Sequence, residues 1–421
     1  MPAVGIPLAT CADQTLARLA AATGSAAIAE LDGATLLGER AMLGGMSIPG
    51  RISAGGGCRL FDAPGDTVAL NLSRAADREL LPALFATDDL NALDDEAIAA
   101  RIAMSDAAAL VMRGRSMGLA IASERERAQT EAAGAAHWRL CPASTGAEAG
   151  TSVPACVELV RGPAATVIRS RRAPRVVDLT ALWAGPLAAH LLWLAGAEVV
   201  KVESLTRPDT MRSGDDRFFA LLNQGKASVV LDFTDANDRH ALLLLIATAD
   251  IVIEAARPRA LLQSGIDAAQ IVATTPGLVW VSITGHGSTG EAANWVGFGD
   301  DCGISGGLSA ALRAATGRSG FVGDAIADPL TGMLAALVGW EAWAARRGGR
   351  FGLAMSDVVA WSLATVHRQD PAALDTSLKA WSAAVGRPFP TVNRRSIGPV
   401  PARGADTREY LARAADPGLR P

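Results

Sequence analysis

The chain has 421 residues, half of them hydrophobic and 19% charged, with a formal net charge of −4. That length supports two or three domains with sizeable cores. The mildly acidic balance gives no electrostatic ground for a nucleic-acid or anionic-membrane partner. Five cysteines occur, Cys11, Cys58, Cys141, Cys156 and Cys302. No two form a CxxC pair and their number is odd, which argues against a zinc knuckle or a disulfide framework, so no metal is expected. The opening MPAVGIPLAT lacks a basic start and a long apolar core, and no run of about 18 apolar residues follows. No signal peptide or membrane span is expected, and a reduced, cytoplasmic setting is.

In chain order, the first 150 residues are Ala-rich and mostly helical in pattern. A glycine-rich turn stands at Gly55-Gly56-Gly57, and Thr67 to Leu72 (TVALNL) reads as a strand. Helices are predicted over Arg78–Phe85, Asp95–Met104 and Asp106–Arg113. Pro142 to Ala173 is rich in Gly, Pro, Ser and Thr and reads as a linker, with Arg169 to Arg175 (RSRRAPR) as a solvated basic stretch. From Arg175 short β-branched runs alternate with helical patterns. Val176–Leu179, Glu198–Val202, Ser228–Asp232, Asp250–Ile253 and Leu278–Ile283 are the strands, with helices at Pro186–Leu194, Asp238–Ala247 and Ala260–Gln263. Such alternation predicts a parallel sheet covered on both faces. The first strand leads into TALWAGPLA, with no GxGxxG dinucleotide fingerprint. The expected fold class is α/β: a Rossmann-like parallel-sheet domain plus a smaller α+β domain. The expected divisions are 1–145 (small domain with the glycine loop), 146–174 (linker), 175–368 (sheet domain) and 369–421 (C-terminal extension, closing with a helix at Thr407–Ala414).

The stretch Phe321 to Trp340, FVGDAIADPLTGMLAALVGW, sets Asp324 and Asp328 in an otherwise apolar run. A carboxylate there must be solvated, paired or used. Asp328 followed by Pro329 fits a helix N-cap with a first-turn proline, and it fits equally a nucleophile held at a positive helix end. Asp324 reads as a turn or solvated carboxylate. Gly55, Gly56 and Gly57 form either a plain turn or a mobile loop whose N–H groups approach an oxyanion. His286 reads as a loop residue lining the cleft, and Asp300 and Asp301 as a solvated acidic pair. Cys302, His190 and Trp193 read as packing residues.

Several segments resemble class III CoA-transferases, the family of formyl-CoA transferase, carnitine CoA-transferase and α-methylacyl-CoA racemase. They are VVDLTALWAGPLAAHLLWLAGAEVVKVE (Val176 to Glu203), FFALLNQGKASVVLDF, ADIVIEAARPRALLQSG, LVWVSITGHGSTG and IADPLTGMLAAL, in the family's order. Ser53 to Leu84 resembles the family's glycine loop and the start of its small domain, which normally follow the Asp-bearing part. Pro401 to Ala414 resembles the family's usual ending. The resemblance therefore implies a rearranged order.

The resemblance further implies that Asp328 is the catalytic aspartate, attacking an acyl-CoA thioester to give an aspartyl-acyl anhydride, and that Gly55, Gly56 and Gly57 cover the intermediate. Coenzyme A would lie at the carboxyl ends of the parallel strands. Trp183, Ala184 and Gly185 match the family's CoA-contacting turn, Lys226 matches a family lysine near the CoA phosphates, Arg257 matches the arginine of the family's RPG signature, and Asn223 is a further CoA-binding candidate. Arg259 and Gln263 depart from the family pattern. The implied partners are an acyl-CoA and a carboxylic acid acceptor, and the implied assembly is a homodimer. The racemase branch has a basic histidine where Phe298 stands here, so an acyl-CoA racemase or isomerase is the alternative. A CoA-binding protein without turnover, with Asp328 only a cap, is the third reading.

Overall fold

The computed structural model describes residues 4–87, 94–127, 154–164 and 173–416, apart from the side chains of Pro258 and Arg259. The architecture is a seven-stranded sheet flanked by helices, with a three-stranded antiparallel sheet beside it. The small sheet consists of β1 (Cys58–Ala63), β2 (Asp66–Asn71) and β3 (Ala120–Ser123), in that spatial order.

The large sheet contains β4 (Val157–Arg161), β5 (Arg175–Leu179), β6 (Glu198–Ser204), β7 (Ala227–Leu231), β8 (Ile251–Glu254), β9 (Val279–Thr284) and β10 (Gly349–Ala354). Its spatial order is β4-β10-β9-β8-β5-β6-β7. Strands β5 to β10 are parallel, and only β4 runs antiparallel, at the edge beside β10. The parallel part has the doubly wound order, two halves meeting where the chain leaves β5 toward β6 on one side and β8 returns on the other. Such a sheet is buried on both faces, and the strands accordingly read as continuous apolar runs: Val176, Val177, Ile251, Val252, Ile253, Val279 and Val281 are all fully buried.

The structure departs from the sequence reading at several boundaries. Residues 157–161, assigned to the linker, form strand β4. Alternate positions there are exposed, so the run lacks the apolar signature of a central strand. Cys141 and most of the rest of the linker segment lie outside the described residues. The single helix expected over Arg78–Phe85 is two short ones, Ala75–Glu79 and Leu81–Leu84, the second with Pro82 in its first turn. The C-terminal residues are no free extension. Helix Pro371–Ala383 buries Leu374, Leu378 and Trp381 in the main core, and helix Thr407–Ala415 packs on helix Ala236–Ala247.

Two helices carry the centre of the molecule. Helix Ala327–Ala344 crosses helix Ala184–Leu194, and a Cβ at Gly332 would stand 2.7 Å from the Ala184 carbonyl oxygen, so that close crossing requires glycine. The N-terminal helix Ala9–Thr23 packs on the far end of Ala327–Ala344. Arg18 forks onto Glu341 at 2.7 Å, and the Trp340 indole N–H donates to the Ala22 carbonyl at 3.0 Å. The small sheet docks through Cys58, Leu60, Ala69 and Ala122 against Ile304 and Phe321. The small sheet and the N-terminal helix are thereby brought onto the segments that bear the candidate aspartates.

Candidate active site

A cavity of about 400 Å³ opens at the carboxyl ends of the parallel strands. Leu179 and Thr180 reach it from β5, Ala255 and Ala256 from β8, Ile283 to Gly285 from β9, and Met355 from beyond β10. This is the place where the strand order reverses, where open α/β sheets take ligands. Of the residues singled out in the sequence, Asp328, Ala184, Gly185 and Arg257 line it. Trp295, Phe298 and Arg74 complete its outer wall, with the Arg74 guanidinium 5.7 Å from the centre of the Phe298 ring.

Asp328 is not an N-cap. The helix begins one residue earlier, at Ala327, with Ile326 in the cap position and no side-chain capping bond. Asp328 sits in the first turn with Pro329 behind it, where a proline costs no hydrogen bond and the free N–H groups favour a negative charge. The backbone N–H of Ala184, in the first turn of the facing helix, acts on this carboxyl in favour of its charged form. Two helix N-termini therefore converge on one carboxylate, which keeps an opening onto the cavity. Two residues at the site hold φ in the left-handed region without being glycine, Leu182 at 69° and Ala325 at 40°. Leu182 lines the cavity and the Ala325 carbonyl accepts the Asp328 N–H at 2.9 Å, so the strain is local to the site.

Asp324 is neither solvated nor in a free turn. It is fully buried and takes a two-pronged ion pair from Arg40, with Nε to Oδ2 at 2.8 Å and Nη2 to Oδ1 at 2.7 Å. The sequence expectation failed because Arg40 lies far away along the chain, and local pattern carries no trace of it. Asp300 and Asp301 are likewise not a solvated pair. Asp300 accepts the Ala325 N–H at 3.1 Å, and fully buried Asp301 accepts the Phe298 N–H at 3.0 Å. Burial pushes the Asp328 carboxyl up to about 7; the Arg40 guanidinium opposes this, Asp300 adds to it, the Ala184 N–H opposes it and Asp324 adds to it. Burial also raises Asp300 to about 7, with Asp324 adding to the rise and Arg40 and Ser53 opposing it. Three carboxyls thus share one guanidinium.

Lys226 and Asn223 do not face the cavity. The Lys226 ammonium is buried and bonded to Asp178 at 2.8 Å, the Pro186 carbonyl at 2.9 Å and Asn223 Oδ1 at 3.0 Å. All of its donors are engaged inside the protein, which leaves none for a phosphate. Nearby, Lys201 donates to the Thr180 carbonyl at 2.8 Å and pairs with Asp209 at 3.1 Å. Together these groups pin the turn that leads from β5 into helix Ala184–Leu194. Trp183 is 3% exposed, edge-on to Phe218 and under the Arg40 guanidinium, so it is packing and not cavity wall. At Gly185 a Cβ would lie 2.3 Å from the Thr180 Cβ, so the glycine admits Thr180 and the tight turn as well as facing the cavity.

Gly55, Gly56 and Gly57 do not line the cavity. Gly56 takes φ of 78°, and a Cβ at Gly55 would stand 2.9 Å from Arg40 Nη2. The loop therefore backs onto the Arg40–Asp324 pair. His286 is no cleft residue either. Its imidazole is 2% exposed, 3.6 Å from Asp301, 4.0 Å from Cys302 Sγ, and its Nδ1 is 3.4 Å from Arg115 Nη2 and from Ser305 Oγ. An arginine donor facing Nδ1 leaves the proton on Nε2, toward Asp301. The His286, Asp301 and Cys302 group, the one cluster with metal-ligand atoms among the described residues, is so arranged as a closed polar set. Cys302 and His190 are buried packing residues, and Trp193 is partly buried against the core, as read from sequence.

Residues 174–378 match the family model for CoA-transferase family III. Those residues belong to CoA-transferase family III. Within the family III segment, three curated relatives are similar. Succinyl-CoA–D-citramalate CoA-transferase of Chloroflexus aurantiacus is 31% identical over 39% of this chain and 42% of its own length. Acetyl-CoA:oxalate CoA-transferase of Acetobacter aceti is 32% identical over 28% of this chain and 32% of its own. Succinate–glutarate CoA-transferase of Agrobacterium fabrum is 30% identical over 38% and 43%. The alignments with these relatives thus span less than half of their length. A crystal structure of Rv3272 from Mycobacterium tuberculosis aligns with 46% of this chain and 56% of that one at 28% identity and a TM-score of 0.42.

Proposed function

We propose that the chain is an acyl-CoA:carboxylate CoA-transferase in which Asp328 is the nucleophile. The observation that carries this reading is the placement of Asp328: a carboxylate in the first turn of a helix, beside the N-terminus of helix Ala184–Leu194, open to a cavity at the carboxyl ends of a parallel sheet. The relatives of the family III segment, all named as CoA-transferases, support the reaction class.

In the first step an Asp328 oxygen attacks the thioester carbonyl, the carbon–sulfur bond breaks, and an aspartyl-acyl anhydride and CoA thiolate result. The thiolate attacks the aspartyl carbonyl and releases the donor's carboxylate. The acceptor carboxylate then displaces the thiolate, giving a second anhydride. Attack of the thiolate on the acceptor's acyl carbon forms the new thioester and restores the Asp328 carboxylate. The convergent N–H groups stabilise the oxyanions and hold the ionised aspartate. Arg257, exposed at the cavity mouth, is placed for the anionic end of coenzyme A.

Racemisation has less support, because no histidine lines the cavity among the described residues. The homodimeric state, the cytoplasmic location and the rearranged order of the small-domain part belong to the same proposal and rest on the family resemblance. The test is to incubate the full chain with acetyl-CoA or succinyl-CoA and a panel of di- and monocarboxylates, and to read new CoA thioesters by mass spectrometry. A new thioester that depends on Asp328 supports the reading. Hydrolysis only, or no turnover across the panel, removes it.

A further inference from the structure

We propose that Arg40 is a positioning residue for Asp328, a single counter-charge that the N-terminal region supplies to the carboxyl cluster of the family III segment. The inference rests on the proposed role of Asp328 and extends it to residues outside the matched segment.

The geometry begins with helix Gly33–Leu43, on which Arg40 stands in the last turn. Its guanidinium forks onto Asp324, lies 5.1 Å from the centre of the Trp183 ring and touches the Gly55 loop. A guanidinium locked in a planar two-pronged pair and stacked on an indole has little freedom to reorient. From that position it acts electrostatically on Asp300 and Asp328 as well as on Asp324. The neighbouring charge on its own helix, Glu39, is engaged elsewhere with Arg395 at 2.5 and 2.7 Å. Facing Arg40 from the packed elements are Asp324 and Asp328 on the 321–344 segment and Asp300 on helix Gly299–Ser305. The buried Cys58 thiol on β1 lies beside the same acids, raised well above its ordinary range by burial and by Asp300 and Asp301. Asp300 and Asp328 face one cation that is already paired with Asp324, so ionising both is disfavoured by their mutual repulsion. When Asp328 is acylated its charge leaves the cluster, and the remaining acids then match Arg40 more closely. Arg40 therefore favours the ionised nucleophile before attack and keeps Asp324 in place beneath it.

The test uses the full chain and two independent readouts. The first is the pH dependence of water-soluble carbodiimide modification of the Asp328 peptide, which follows the protonated carboxyl and needs no acyl-CoA. The second is the pH dependence of the hydroxamate formed on Asp328 with acetyl-CoA and hydroxylamine. The double variant Arg40→Gln with Asp324→Asn removes the buried pair without stranding a charge. It is expected to move the carbodiimide midpoint of Asp328 up by about one pH unit, equivalent to tenfold less ionised carboxyl on the acid side. The single variant Asp324→Asn leaves Arg40 unopposed and is expected to move the midpoint down. A midpoint unmoved in Asp324→Asn, or in a double variant with a native far-UV spectrum, overturns the role of Arg40. Absence of hydroxamate in the unaltered protein at every pH would instead remove the nucleophile reading, with the carbodiimide arm still deciding on Arg40.

Discussion

A Cβ placed on Gly299 would stand 2.2 Å from Oδ2 of Asp328 and 2.3 Å from the Ala325 carbonyl oxygen. The nucleophile candidate rests directly on a bare backbone. Gly299→Ala is expected to push the carboxylate from its position at the cavity and to cut Asp328 acylation by roughly 100-fold, because small displacements of a reacting group are costly in rate. The same variant is expected to lose about 1–3 kcal/mol of stability, since the backbone must also move. Hydroxamate yield and a denaturant melt on one preparation check both.

Asp328 and Asp300 both sit near 7 in the folded chain and titrate as a coupled pair. An acid whose folded pKa lies above its unfolded one stabilises the protein only while protonated. Between roughly pH 4 and pH 7 the folded state holds more protons than the unfolded chain, so stability falls as pH rises through that window. Asp328→Asn is expected to flatten this slope and to raise stability at pH 8 by about 1–2 kcal/mol, the value being moderated by the opening of Asp328 onto the cavity. Urea melts at pH 5, 6, 7 and 8 measure it; a slope unchanged by the substitution contradicts the buried-acid description.

Lys226→Met is expected to cost about 3–5 kcal/mol of stability, because it leaves Asp178 as a buried charge without its ammonium partner. Any folded fraction should bind coenzyme A within about twofold of the unaltered chain, a difference below 0.5 kcal/mol. Calorimetric titration with coenzyme A, beside a thermal melt, separates this from a phosphate-binding lysine, whose loss weakens affinity and spares stability.

Arg257→Ala reverses that pattern. The side chain is exposed at the cavity rim, so stability is expected to hold within about 0.5 kcal/mol. Coenzyme A affinity should fall about tenfold, in line with a lost charge-assisted hydrogen bond, and dephospho-CoA or pantetheine should show a smaller loss if a phosphate is the partner.

The sheet and its ligand end were legible because both follow from local pattern. Buried parallel strands declare themselves as β-branched runs, and the strand ends after Leu179, Glu254 and Thr284 are fixed once the runs are found. Asp328 stood out because a carboxylate in an apolar run is expensive. Its neighbours were misread for the same reason in reverse. Asp324, Asp300 and Asp301 look solvated until Arg40, Ser53 and the Phe298 N–H are brought to them by folding. Lys226 looked free for a phosphate because its partner Asp178 lies on β5, 48 residues away in the chain. The one signal for Arg40 was its place, with Glu39, in a segment whose other residues are apolar or glycine, LLGERAML, where a buried arginine needs an acid. Sequence alone does not say which one. Strand β4 escaped notice because an edge strand with exposed alternate residues resembles a polar linker.

The most direct measurement is peptide mapping after the full chain has been exposed to a panel of acyl-CoA thioesters in the presence of hydroxylamine. A hydroxamate on Asp328, formed in the unaltered chain and absent in Asp328→Asn, is the expected result. Turnover of acyl-CoA with an unmodified Asp328 peptide, or a hydroxamate carried by another carboxyl such as Asp300, would contradict the assignment of Asp328 as the group that accepts the acyl chain.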